Sequence, residues 1–269
     1  SGYFFGPSSC LNWGKDLAAL TAPAAAVTEK DIARKAFLMA AKLHAKYWND
    51  HDLKSHQWLR ASQWYNGTGR ESWQGAQAMA INAWKAVKET IGADGGVKWD
   101  PNLIAIVDSS IGKISWEKYV ENTVTKKANF TLVHGDFHPA NMMYRPSRDE
   151  LVLLDWEQVG IGSGPQDIAQ YVISHVNVKH RKDLELPLIR EYYDSLMTNI
   201  HAGSVEYTFE QCMNDFVFGG AERWIWFVVF LCNMQMPTAM KQYFHDITSA
   251  FIADHSDRIN VDSIGMPRV

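Results

Sequence analysis

The sequence lacks an excess of basic residues, has few cysteines and contains no long apolar run, and each shortage excludes a class of protein. Its 269 residues carry 26 Lys and Arg against 30 Asp and Glu, so no positive excess is available to neutralise the phosphates of a nucleic acid. Cys10, Cys212 and Cys232 form no close pair, which predicts reduced thiols and no disulfide framework. The most apolar run, 224–232, is far shorter than the roughly 20 residues of a membrane span, so we expect a buried helix there.

The spacing of apolar residues changes from helical to strand-like in the middle of the chain and then back. Residues 1–27, rich in Gly, Ser, Pro and Ala, predict an irregular lead-in, and Thr28 is a suitable N-cap for the helix that follows. Helices are expected at 29–48, 71–91, 166–178, 184–200, 209–233 and 238–255, and strands at 130–133, 142–145 and 151–154. Turn residues at 146–149 join the last two strands into a hairpin. The pattern predicts an α+β fold over 28–269, mostly helical with a small β-hairpin insert at its centre.

Polar residues cluster at the ends of the predicted strands. The first strand runs into His134 and Asp136, Asn141 leads into the second strand, and Asp155 ends the third. Carboxylate and amide oxygens at the ends of one hairpin are the ligands that Mg²⁺ prefers, together with phosphate oxygens. A further carboxylate can accept a proton from a substrate hydroxyl, and phosphoryl transfer needs this combination of metal, positioning and one base.

The motif H-G-D-x-x-x-x-N at 134–141, followed by a strand that ends in Asp155, resembles the aminoglycoside phosphotransferase and choline kinase-like superfamily. This superfamily is a small-molecule branch of the protein kinase fold, so the resemblance implies a kinase-like C-terminal lobe. It also implies a catalytic loop at 132–144 and a metal-binding strand end at 151–157.

Two further stretches strengthen the resemblance. The sequence G-P-Q-D-I-A at 164–169 is similar to the superfamily element that follows the metal-binding aspartate. The sequence A-K-L-H-A-K-Y-W at 41–48 is similar to a helix of the ecdysteroid kinase-like branch. The resemblance extends over about 10–255 and is dense in 130–172.

The resemblance implies a role for each motif residue. Asp136 would orient or deprotonate the acceptor hydroxyl, and Asn141 and Asp155 would hold Mg²⁺ on the phosphates of ATP. His134 would brace the catalytic loop. Asp167 would hold the backbone of that loop, and its place at a helix start is also favourable against the helix dipole.

Other candidate site residues keep two or three interpretations each. His138 either shapes the catalytic loop or contacts the substrate, and Glu157 is an exposed residue, a support of the site or a substrate contact. Trp224 and Trp226 either fill the core or bind a choline-like cation through their faces. The acceptor is expected to be a small hydroxylated molecule such as a steroid or an alcohol. The glycines of 160–164 lack dinucleotide-fingerprint spacing and are expected to form a flexible loop.

A kinase-like enzyme also needs an N-terminal lobe with a glycine-rich loop, a strand Lys and a helix Glu, and none is recognisable here. Residues 1–27 resemble the hinge between lobes, so we expect the chain to be a C-terminal lobe whose first lobe was removed, is a separate chain or was lost. A chain that starts with Ser1 and Gly2, not Met, favours removal, and no signal peptide is recognisable, which predicts a cytoplasmic protein. The missing lobe or a second copy would cover the exposed lobe face.

Three functions remain open from the residues alone. The first is transfer of the ATP γ-phosphate to a hydroxyl, which makes the protein a small-molecule kinase. The second is a non-catalytic, pseudokinase-like binding module. The third is metal-dependent hydrolysis of a phosphoester by the same carboxylates.

Overall fold

The three-dimensional description rests on a computed structural model that describes residues 3–4, 28–113, 115–126, 129–176, 178–200 and 206–259. It is a mostly helical α+β structure with two small antiparallel sheets, in agreement with the predicted fold class. The chain forms two compact units, one from 1–51 and 129–216 and the other from 52–128 and 217–269. Within the described ranges, none of the helices combines the length and the apolarity that crossing a membrane requires.

Among its described residues, the first unit contains five strands and three complete helices. They are β1 (Tyr3–Phe4), α1 (Glu29–Lys46), β2 (Thr131–Val133), β3 (Met142–Arg145), β4 (Glu150–Leu153), β5 (Gly160–Gly162), α6 (Pro165–His175) and α7 (Val178–Asn199). Helix α8 (Phe209–Asn233) begins in this unit and crosses the boundary at 216. One sheet has the order β1-β3-β4 and the other pairs β2 with β5.

Helix α1 begins where the sequence predicts because its first turn is capped. The backbone N–H of Asp31 donates to the Thr28 hydroxyl at 3.2 Å, and the N–H of Thr28 donates to the Asp31 carboxylate at 2.9 Å. This reciprocal pair satisfies two of the N–H groups that a helix start leaves without an intrahelical partner. Its apolar side, which includes Ile32, Ala36 and Phe37, is fully buried, and the helix packs on α7.

The predicted hairpin is confirmed. Strands β3 and β4 pair antiparallel, with Met142 opposite Leu153 and Arg145 opposite Glu150, and Pro146–Arg148 forms a 3₁₀ turn between them. The pairing places the residues before Met142 beside the residues after Leu153. Asn141, just before β3, and Asp155, just after β4, therefore lie at the same end of the hairpin.

The prediction of a flexible loop at 160–164 is wrong for residues 160–162. Residues 160–162 form β5, whose Val133–Gly160 and Thr131–Gly162 pairs lie in an antiparallel register with β2. All three residues of β5 are buried. The missing side chains of the glycines, which suggested flexibility, instead allow close packing, since a Cβ on Gly162 would lie 2.6 Å from Oε1 of Gln166.

The structure also differs from two predictions about where strands and helices begin. The lead-in 1–27 was expected to be irregular, yet Tyr3–Phe4 adds an edge strand to β3, and the rest of that predicted hinge lies outside the described residues. Helix α7 begins six residues before the expected 184, so Pro187 lies inside it. In its early turns Arg181 and Glu185 form a buried ion pair at 3.5 Å, one turn apart, which favours helix over this stretch.

The second unit is helical. It contains α2 (Ser62–Tyr65), α3 (Arg70–Lys88), α4 (Pro101–Ile111), α5 (Trp116–Val120) with a π-helical continuation at Glu121–Thr125, the rest of α8, and α9 (Thr238–Asp254). The helices α4 and α5 were not predicted, although Asp100 as N-cap and Pro101 at the first position are start signals. The N–H of Asp100 donates to Nε2 of His245 at 2.9 Å, which joins the start of α4 to α9.

A close approach at Gly164, directly before α6, has a testable consequence. A Cβ there would lie 2.7 Å from the Tyr192 hydroxyl and 2.9 Å from Nδ1 of His44, both buried. We expect Gly164→Ala to lower the free energy of unfolding by about 1–3 kcal/mol through overpacking. The matched control is Gly75→Ala, because nothing lies within 4 Å of its Cβ position on the exposed side of α3. That control should raise the free energy of unfolding by about 0.5–1 kcal/mol. Urea unfolding of both variants measures the difference, and equal effects would contradict the packing argument.

Candidate functional site

The loop that follows β2 turns sharply at a position that only glycine can occupy. Gly135 has a φ of +81°, and a Cβ there would lie 2.1 Å from the backbone oxygen of Gln158. Glycine adopts this left-handed conformation without the steric penalty of a side chain. The turn therefore brings the segment of His134 and Asp136 against the backbone that leads into β5.

The buried carboxylate of Asp167 stabilises this turn by accepting two of its backbone N–H groups. It accepts the backbone N–H of His134 at 2.7 Å and that of Gly135 at 3.1 Å. Its Oδ2 also lies 3.2 Å from Nε2 of His44, whose Nδ1 lies 2.9 Å from the Tyr192 hydroxyl. Asp167 thus connects α6, α1, α7 and the loop through one fully buried side chain.

The environment keeps Asp167 ionised. Burial alone would raise its pKa, but the hydrogen bond and the positive field of His44, with smaller contributions from His134, lower the pKa below its usual value. A buried carboxylate with three donors in range is the arrangement in which such lowering is expected.

His134 connects the loop to the residue that follows β4. Its Nε2 donates to the carbonyl of Leu154 at 2.9 Å, and its Nδ1 accepts the N–H of Asp136 at 3.3 Å, which requires the tautomer with the proton on Nε2. The N–H of Leu154 donates to the carbonyl of Asn141 at 2.8 Å. The residue before Asp155 is therefore held from two sides, and the structure brings His134, Asn141 and Asp155 together.

The carboxylate of Asp136 is oriented by three side chains. Its Oδ1 accepts Nε2 of Gln170 at 2.7 Å, and its Oδ2 accepts Nδ2 of Asn141 at 2.9 Å. Nε2 of His138 lies 3.2 Å from the same Oδ2. The side chain of Asp136 is still 29% exposed, so a group from outside the protein can reach it. A carboxylate held in one orientation and partly accessible has the geometry required of a general base.

A match with a known family agrees with this geometry. The model of the ecdysteroid kinase-like family matches residues 34–204, which is more than half of the chain. The chain belongs to the ecdysteroid kinase-like family. This family is part of the choline kinase-like and aminoglycoside phosphotransferase-like superfamily, so the predicted resemblance is confirmed and indicates a kinase-like phosphotransferase at the family level. A comparison with curated proteins returned no match.

Two residues that touch this kinase-like site were missed by the sequence analysis. Gln170 bonds to Asp136, and His175 stacks on His138 with ring centroids 5.1 Å apart and planes 15° apart. Burial lowers the pKa of His175 to about 3, and the nearby His138 adds to the lowering, so this ring is neutral. A signal was present, because Asp167, Gln170 and Ser174 form a polar line at helical spacing on the buried α6.

The donor set fits a magnesium site completed by phosphate oxygens. Nδ2 of Asn141 is bonded to Asp136, which leaves its Oδ1 for a metal, and Asp155 is exposed with a φ of +60°. In the described part of the chain, no three His, Cys, Asp or Glu side chains converge as a metal cluster. Mg²⁺ in phosphoryl-transfer sites is held by one or two side chains plus phosphates and waters. Asn141 and Asp155 supply that number of side chains.

The remaining candidates are Glu157, Trp224 and Trp226. Glu157 is exposed, with its Oε1 3.4 Å from Nε2 of Gln158. Trp224 and Trp226 belong to the second unit and are 1% and 0% exposed, and Trp224 packs edge-on against Phe227 at 5.2 Å. Their burial agrees with the core interpretation, and contact of any of the three with a substrate stays a prediction.

The Asp167 network yields a stability prediction. Asp167→Asn places an amide among backbone N–H donors, and we expect it to lower the free energy of unfolding at pH 7 by about 1–3 kcal/mol. Because the pKa of Asp167 is lowered on folding, its contribution is complete above about pH 4 and is lost as the pH falls further. The deficit of the variant should therefore shrink only below about pH 4. Urea unfolding across pH tests this, with the exposed Asp94→Asn as control, and an unchanged stability at pH 7 would contradict the argument.

The burial of His175 leads to a second prediction about how the free energy of unfolding depends on pH. Its pKa falls from 6.5 to about 3 on folding, so the unfolded chain binds one more proton between these values. The free energy of unfolding should therefore fall as the pH drops below about 6.5, by at most about 1.4 kcal/mol per pH unit from this group. His175→Phe should show a shallower slope between about pH 6.5 and 4.5, whereas the exposed His56→Phe should match the natural slope. Identical slopes for His175→Phe and the natural protein would show that His175 is not buried as a neutral ring.

Proposed function

We propose that this protein transfers the γ-phosphoryl group of ATP to a hydroxyl group of a small molecule, with Mg²⁺ as the metal. The observation that carries the proposal is the carboxylate of Asp136, held at both oxygens by Gln170, Asn141 and His138 and still reachable from outside. Membership of the ecdysteroid kinase-like family supports a kinase-like reaction.

Each residue of the site has a separate role in such a reaction. Asp136 accepts the proton of the acceptor hydroxyl as the oxygen of that hydroxyl forms its new bond to phosphorus, while the bond from that phosphorus to the ADP oxygen breaks and ADP leaves. When bound, ATP with Mg²⁺ supplies the electrophilic phosphoryl group and the positive charge that stabilises its transfer. Oδ1 of Asn141 and the carboxylate of Asp155 would hold the metal, and His134 fixes the backbone between them through the Leu154 carbonyl.

Positioning is the main contribution of the protein in this chemistry, because phosphoryl transfer requires few covalent steps from side chains. The rigid support therefore matters as much as the base. Asp167 supplies it by accepting two consecutive N–H groups of the loop, and Gln170 fixes one oxygen of Asp136 from the next turn of the same helix. A small rotation of the carboxylate would break the bonds to both Gln170 and Asn141.

The first experiment measures nucleotide binding and product formation separately. We expect ADP with Mg²⁺ at about 100 times its Kd to raise the unfolding temperature by about 2–4 °C. Asp155→Ala should abolish the shift, and the exposed Asp94→Ala should keep it. Asp136→Asn should also keep the shift, but transfer of label from γ-labelled ATP to a panel of small alcohols and sterols should fall by about 10²–10⁴-fold.

Four outcomes would contradict the proposal. A shift that survives Asp155→Ala would remove the metal assignment, and unchanged transfer in Asp136→Asn would remove the base. Nucleotide binding without transfer to any acceptor would favour a non-catalytic binding module. Release of phosphate from a phosphomonoester without nucleotide would favour a metal-dependent phosphoesterase.

A further inference from the structure

Two stacked histidines lie beside the carboxylate of Asp136. His138, in the loop after β2, has its Nε2 3.2 Å from Oδ2 of Asp136. His175 is the last residue of α6, and its ring lies on that of His138 with centroids 5.1 Å apart and planes 15° apart. The second ring therefore touches the site through the face of the first.

The hydrogen bonds around Asp136 determine which nitrogen of His138 carries the proton. Nδ2 of Asn141 has two hydrogens, and it donates them to the backbone carbonyl and to Oδ2 of Asp136, both at 2.9 Å. Neither hydrogen is left for Nε2 of His138, which lies 3.4 Å from that Nδ2. Nε2 therefore carries the ring proton and donates it to the carboxylate, because a bare nitrogen lone pair would face a negatively charged oxygen.

The His138 ring needs a second contact to stay in this orientation. Its other nitrogen, Nδ1, is buried and has no hydrogen-bond partner among the described residues. The side chain is also 18% exposed, so its surroundings do not enclose it completely. A side chain with one hydrogen bond keeps part of its rotamer freedom unless packing removes it. The stack on His175 supplies that packing, because it restricts rotation of the ring out of its plane.

The ring of His175 is itself held in place. It is only 9% exposed, and its Nδ1 lies 2.7 Å from the Ser174 hydroxyl. That hydroxyl donates its own hydrogen to the Gln170 carbonyl at 2.6 Å, so it accepts the hydrogen of Nδ1 of His175. Burial also keeps this ring neutral. It can therefore support His138 without placing a positive charge beside Asp136.

We propose that His175 is a positioning residue of the phosphotransfer site, whose ring face keeps Nε2 of His138 directed at Oδ2 of Asp136. The inference rests on the proposed function, since the orientation of Asp136 affects the rate only if Asp136 is the base. The flat face of the ring is the property that acts, and the bond to Ser174 holds that face in place. Small displacements of a reacting group lower the rate strongly, so the loss of this support should appear in kcat.

Two apolar replacements of His175 separate the ring face from the filling of space. His175→Phe keeps a flat face against His138, whereas His175→Leu fills the position with a side chain that has no such face. With label transfer from γ-labelled ATP as the assay, we expect His175→Phe to keep kcat within about threefold. His175→Leu should lower kcat by about tenfold or more and leave KM for ATP unchanged. Ile173→Ala, a buried position of the same helix, is the control for lost stability and should keep the natural kcat.

A double-mutant cycle tests whether His175 acts through His138. His175→Leu should lower kcat in the natural protein and have no further effect in a His138→Ala background. A residue that only stabilises the fold would lower kcat by the same factor in both backgrounds, and that result would overturn the proposal. Equal kcat values for His175→Phe and His175→Leu would overturn it as well. The cycle requires only His175→Leu, so it decides the question even if Phe does not fit the position.

A second measurement needs no catalysis and so separates this proposal from the proposed function. The imidazole N–H resonance of His138, assigned by its loss in His138→Gln, should be protected from exchange with water in the natural protein and in His175→Phe. In His175→Leu it should broaden through exchange, because the ring no longer keeps its hydrogen bond. This result without any label transfer would contradict the proposed function but not the support of His138 by His175. A resonance that is unchanged in His175→Leu, or absent from the natural protein, would overturn the positioning role.

Discussion

The candidate site depends on one buried carboxylate. Asp167 has no contact with solvent, and the N–H groups of His134 and Gly135 and the ring of His44 satisfy it. Leaving such a charge without partners would be far more costly than the net gain of any one bond. The first unit therefore keeps α1, α6 and the loop in one arrangement, and the orientation of Asp136 follows from it.

The surroundings of Asp136 combine firm hydrogen bonds with limited positive charge. Gln170 and Asn141 are neutral donors, and burial keeps the ring of His175 neutral beneath His138. Neutral donors orient a carboxylate without the full electrostatic stabilisation that a nearby cation would give its ionised form. Both oxygens of the carboxylate are thereby fixed in one orientation.

The two units differ in whether a prominent buried polar side chain is paired. In the first, Asp167 has a donor for each of its oxygens, and the result is a rigid loop. In the second, Gln77 lies in the apolar stripe of α3 with neither of its amide groups paired among the described residues. Satisfied polar networks specify one structure, whereas an unpaired buried amide lowers stability.

The sequence by itself determined the local elements and the order of the motif residues. Helix α1 with its Thr28 cap, the hairpin of β3 and β4, and the bounds of α8 follow from spacing and turn chemistry within a few residues. Only the tertiary structure decided the roles of Gln170 and His175 and the strand β5. Their partners lie far away in the sequence or outside local patterns: Gln170 reaches Asp136 across 34 positions, and His44 meets Tyr192 across 148. Local periodicity reports which side of a helix is buried, but the particular group that it meets there is set by packing between distant segments.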